Sequence, residues 1–89
     1  MENVIVTIMD SSNSFSLDVE IPADFSTTRI KDELNRYLID SKYSELYLSF
    51  CKNKNMDYSI FCEKLNSILD DNDTVQSVGI SSGDLLVLL

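Results

Sequence analysis

The chain has 89 residues, 44% of them hydrophobic and 25% charged, with two glycines and one proline. So short a chain makes a single domain over residues 1–89, too regular in composition for disorder and too small for a deep catalytic cleft. Its net charge of −8, from 15 acids against 7 bases, repels phosphate backbones and anionic headgroups and argues against nucleic acid and membrane surfaces as partners.

The first strand signal is Asn3-Val-Ile-Val-Thr-Ile-Met9, in which Val4, Val6 and Ile8 share one face. A polar cluster, Asp10-Ser-Ser-Asn-Ser14, marks a turn. Residues 15–21 then alternate: Phe15, Leu17, Val19 and Ile21 against Ser16, Asp18 and Glu20. That period of two, with one wet face, predicts the second arm of an antiparallel hairpin. Pro22 ends the ladder because it has no N–H to donate.

A helix is predicted from Ser26, whose hydroxyl can accept an unpaired backbone N–H, with Phe25 stapled onto Ile30. Ile30, Leu34, Tyr37 and Leu38 recur on one face, and the helix stops near Asp40-Ser41. Leu46, Leu48 and Phe50 alternate with Tyr47, Ser49 and Cys51, which predicts a third strand. Ile60, Phe61, Leu65, Ile68 and Leu69 fit a helical face, favouring a second short helix in residues 57–70. The competing reading is a short strand at Tyr58–Cys62 followed by a turn. Gly83-Asp84 signals a turn before Leu85-Leu-Val-Leu-Leu89, whose unbroken apolar run predicts a central strand covered on both faces.

Hairpin, helix, strand, variable segment and strand, in that order, predict an α+β fold. Its mixed sheet has four or five strands, with a helix packed on one face. A last strand lying parallel to the first, at the centre, accounts for the apolar character of both. This is the β-grasp arrangement.

The ending Val75-Gln-Ser-Val-Gly79-Ile-Ser-Ser-Gly83-Asp84-Leu85-Leu-Val-Leu-Leu89 resembles that of the YukD/EsaB proteins. In those, a Gly-Ile turn with two polar residues and Gly-Asp leads into a final apolar strand. The start is similar too, with an apolar first strand, a second ending in Ile21-Pro22-Ala23, and a helix from Ser26. The resemblance covers residues 3–40 and 74–89; residues 41–73 are longer than it accounts for. It implies a ubiquitin-like fold and an accessory or regulatory role in the type VII secretion system of Gram-positive bacteria. It implies no conjugation, and it carries no catalytic residues. With no Gly after Gly83, we also expect no Gly-Gly tail of the kind that conjugation uses.

Signals for chemistry are sparse. There is no histidine, which removes the most frequent acid–base group and the commonest zinc ligand. Cys51 and Cys62 are too few for a closed zinc site, and a nucleophilic cysteine needs an activating neighbour. A calcium loop starting at Asp71 fails where Val75 and Gln76 stand. We therefore expect no enzyme activity, no cofactor, no metal site and no small-molecule substrate. Met1-Glu2-Asn3 opens no signal peptide, and no apolar run approaches the ~20 residues of a membrane span. A cytoplasmic location with reduced thiols and no membrane insertion follows as the expectation.

The positive signal is a sheet face. If the helix covers Val4, Val6, Ile8, Leu48, Phe50, Leu86 and Leu88, alternation leaves Ile5, Tyr47, Leu85 and Val87 on the opposite face. Asp18 and Glu20 flank them on the second strand. An apolar centre with an acidic rim is a protein-docking pattern. The expected partner is a component of the secretion system or a second copy of the chain. The alternative function is a generic β-grasp adaptor or an immunity-type acidic protein that caps a basic toxin.

Overall fold

The computed structural model describes residues 2–89. In chain order the elements are β1 (Asn3–Asp10), β2 (Ser16–Pro22), α1 (Thr27–Ile39), α2 (Ser44–Asn53), β3 (Ile60–Cys62), β4 (Ser67–Ile68), α3 (Val75–Val78) and β5 (Leu85–Leu88). The five strands form one mixed sheet in the order β2-β1-β5-β3-β4. β1 pairs antiparallel with β2 and parallel with β5, and β3 pairs antiparallel with both β5 and β4. The expected β-grasp is the fold.

β5 is the middle strand and β1 lies beside it, each carrying apolar residues on both faces. Val6, Ile8, Leu86 and Leu88 are fully buried beneath α1, which contributes Ile30, Leu34 and Leu38. α1 begins as the sequence predicts: Ser26 Oγ accepts from the Arg29 N–H at 3.2 Å, and Phe25 packs against the core. The Gly-Ile-Ser-Ser-Gly-Asp turn fixes β5 against β1. Gly83, at φ +94°, donates its N–H to Ile5 O, and Thr7 N–H donates to Asp84 O. Gly79 closes α3 in the left-handed region, at φ +78°, where a side chain is strained.

Two predicted elements are corrected. Residues 46–50 belong to a helix, α2, and not to a strand. Leu46 and Leu48, read as inward, are exposed, while Tyr47, Phe50 and Cys51 are buried at helical spacing. The stretch satisfies both periods, and Tyr43, which also packs against the core, extends the helical one. The helix expected over 57–70 is absent: the competing strand within Tyr58–Cys62 and the turn after it are found, and a second short strand, β4, which neither reading predicts, follows the turn. Ile60 and Cys62 face the core with Phe61 between them, Asn66 turns at φ +52°, and Leu69 N–H returns to Ile60 O. β5 carries backbone hydrogen-bonding groups on both edges; β1 pairs with one edge and β3 with the other.

Phe15 meets Tyr47 edge-on at 6.1 Å and Phe50 at 6.4 Å, while Tyr47 and Tyr58 meet at 6.2 Å. This aromatic cluster ties α2 to the hairpin and to the approach to β3. Beside it the Asp10 carboxylate is buried and accepts hydrogen bonds from Ser12 Oγ, from Ser14 N–H at 2.6 Å and from Phe15 N–H at 3.1 Å. It organises the β1–β2 turn. Burial alone would raise its pKa, but the hydrogen bonds outweigh burial and the net value lies below the ordinary 3.8.

A carboxyl whose folded pKa is depressed stabilises the fold above its unfolded value. That contribution is lost as pH falls through the lowered folded value. Asp10→Ala should therefore cost ~1–3 kcal/mol at neutral pH, with three donors left unpaired. Urea denaturation across pH should show this deficit shrinking below about pH 4, as the wild type loses the same contribution.

Candidate functional site

α1 lies on one side of the sheet and leaves the other side open. By strand register, Met9, Val87, Phe61 and Ile68 stand side by side across β1, β5, β3 and β4. Thr7 and Leu85 form the adjacent row, and Ile5 extends the face along β1. Ile5 is 51% exposed and Ile68 53%, while Met9, Phe61, Leu85 and Val87 are half-buried by one another. Asp18 and Glu20 on β2 border this apolar strip, opposite Thr7 and Ile5. Thr7 Oγ1 donates to Asp18 Oδ1 at 2.8 Å, and Asn3 Nδ2 donates to Glu20 Oε2 at 2.7 Å. Both carboxylates are thus oriented along the rim while remaining exposed.

Of the residues singled out from the sequence, Ile5, Leu85, Val87, Asp18 and Glu20 share this face. Tyr47 does not. It lies on α2, 1% exposed, on the covered side of the sheet. Its hydroxyl is 3.1 Å from the Tyr58 hydroxyl and donates to Asn35 Oδ1 at 3.1 Å. Phe61 occupies the third-strand place that Tyr47 was expected to fill. Met9, Phe61 and Ile68 were missed. Met9 was legible, because it continues the alternation of Ile5 and Thr7. Phe61 and Ile68 were hidden by the helical reading of their segment.

Little on the covered side is suited to chemistry. Burial, then the Tyr58 contact, drive the Tyr47 phenol well above its ordinary value, and burial pushes Tyr58 up to about 12. Cys51, a buried free thiol, is also raised by burial, with a smaller opposing effect from Tyr47. A raised pKa keeps a thiol protonated and unreactive at neutral pH. Asp70, Asp71 and Asp73 shape a turn: Asp73 Oδ2 accepts from Asp70 N–H at 2.9 Å, and the carbonyls of Asp71 and Asp73 receive Thr28 and Thr27 N–H at the start of α1. No helix among the described residues is long and apolar enough to cross a membrane.

No family model matches the chain, and no curated protein sequence matches it. Solved structures do match. The ubiquitin-like domain of an Arabidopsis thaliana protein superposes with a TM-score of 0.70 at 14% identity, over 100% of this chain and 78% of that one. The ubiquitin of Caldiarchaeum subterraneum gives 0.66 at 15% identity, over 98% and 91%. The EccD5 ubiquitin-like domain from Mycobacterium xenopi gives 0.67 at 13% identity, over 100% and 94%. The fold is therefore the ubiquitin-like β-grasp.

A tyrosine on an open binding face is dispensable for stability; a buried one at the centre of an aromatic cluster is not. Tyr47→Ala should cost ~3–5 kcal/mol. Chemical denaturation measures the loss, and a change below ~1 kcal/mol would place Tyr47 outside the core.

Proposed function

We propose that this protein is an accessory or regulatory component of a Gram-positive type VII secretion system, a single ubiquitin-like domain that acts by binding another protein in the cytoplasm and catalyses nothing. The observation that carries the binding mechanism is the solvent-facing apolar strip of Ile5, Met9, Phe61, Ile68, Leu85 and Val87. Desolvating such a strip supplies affinity, and the acidic rim of Asp18 and Glu20 supplies orientation. The partner on this face is another subunit of the secretion machine. The assignment to secretion rests on the YukD/EsaB-like start and on the Gly79–Leu89 ending; the structural neighbours support the ubiquitin-like fold that this reading needs.

Affinity capture from the native host, with mass spectrometry, tests the reading. We expect membrane-associated subunits of the secretion machine, such as its ATPase, among the captured proteins. A Leu85→Ser/Val87→Ser variant should lose at least ten-fold of that capture while its circular dichroism spectrum stays that of the wild type. Undiminished capture by the folded variant would remove the face from the mechanism. Capture of a basic toxin or nuclease in place of secretion subunits would favour the immunity-type function instead.

A further inference from the structure

We propose that the outer face of the α1–α2 pair is the contact surface of a two-fold dimer of this chain. α2 packs beside α1, and Tyr47 Oη donates to Asn35 Oδ1 at 3.1 Å across the joint. On α1, Asp32, Asn35 and Ile39 recur at helical spacing, so Ile39 lies on the stripe that meets α2. On α2, Leu48 stands one turn before Cys51 and Lys52. Cys51 borders the same cleft as Asp32 and Asn35, and Met56 lines it too. The apolar residues along this face are exposed: Ile39 by 45%, Leu48 by 43% and Met56 by 67%.

α2 is apolar on more than its inward side. Tyr47, Phe50 and Cys51 are buried, while Leu46 and Leu48 remain outside. A helix apolar all round is ordinarily covered all round. Met56 follows the end of α2 in the left-handed region, at φ +62°, directly after Asn55 at φ +54°. Its N–H donates to Cys51 O at 2.7 Å, and the Asn55 N–H donates to Lys52 O at 3.2 Å. In such a helix ending the apolar residue at this position ordinarily folds back onto the last turn. Met56 instead stays exposed, in a backbone conformation unfavourable to its side chain.

Charge names the occupant. Seven bases and six acids lie between Arg29 and Lys64, and the other nine acids have no base among them. The acidic remainder of one copy repels that of another, so the helical layer is where two chains of net charge −8 can meet. Both signs border the cleft: Lys31, Asp32 and Asp57 line it, and Lys52 stands one turn from Leu48. None of these four has an ion-pair partner among the described residues. A two-fold contact sets the same patch against itself in reverse, so bases of one copy meet acids of the other. Ile39, Leu48 and Met56 of both copies then leave water together. A strongly acidic or strongly basic partner would match only one of the two signs. The dimer leaves the open sheet face of each copy free, and it stands whether or not that face docks a partner.

Helices of 13 and 10 residues offer a modest area, so the association is reversible and is read across concentration. Sedimentation velocity of the full chain over a roughly 100-fold concentration range should show a monomer–dimer equilibrium. On dilution, NMR signals of Ile39, Leu48, Lys52 and Met56 should shift. Leu48→Glu/Met56→Glu, at two exposed positions, should weaken dimerisation at least ten-fold with an unchanged circular dichroism spectrum. If that variant does not fold, Lys31→Glu/Lys52→Glu takes its place with the same expected loss. The proposal is overturned by a monomer at every concentration, or by a dimer that the folded variant retains in full. It is also overturned by dilution shifts confined to Ile5, Phe61 and Val87 or to Asp18 and Glu20. Growth into species larger than a dimer overturns it as well, because a two-fold contact closes on itself.

Discussion

The parallel pairing of β5 with β1 is the constraint from which the rest of the molecule follows. It joins segments from opposite ends of the chain, Thr7 with Leu85 through Asp10 with Leu88, and parallel strands require a long crossover between them. Most of the chain is that crossover. β5 has backbone hydrogen-bonding groups on both edges and buries Leu86 and Leu88 on one face, so it calls for a second strand beside it and a helix over that face. β3 and α1 meet those demands. The Gly79–Asp84 turn sets the register, since Gly83 and Asp84 bond directly to Ile5 and Thr7. Asp84 is itself anchored, accepting from Ser81 N–H at 2.8 Å and pairing with Lys64 at 3.6 Å.

A central β1–β5 pair leaves one end of the sheet to be sealed. α2 does this, and its aromatic residues explain why this part of the crossover is long. Phe15 comes from the hairpin, Tyr47 and Phe50 from α2, and Tyr58 from the approach to β3, so together they hold three stretches of chain in place. The two buried hydroxyls satisfy each other and Asn35, and no buried side-chain polar atom among the described residues lacks a partner. A polar group buried without a partner would cost more than the packing around it returns.

The parts legible in the sequence are those where one physical signal acts alone. The hairpin alternates without competition, Ser26 has a capping oxygen and a helical face behind it, and Leu85–Leu89 has no polar interruption. Residues 41–73 were misread where two signals overlap. Leu46, Leu48 and Phe50 alternate, yet Tyr43, Tyr47, Phe50 and Cys51 repeat at helical spacing, and the residues that bury are those of the second set, Tyr43 by half. Ile60, Leu65 and Ile68 trace a helical stripe, yet Leu65 and Ile68 are exposed while Cys62 is fully buried. There the need of β5 for a neighbour overrides local periodicity, and no window of a few residues contains that information. These two overlaps also altered the candidate site: Tyr47 stands where Phe61 belongs, and Ile68 is left out.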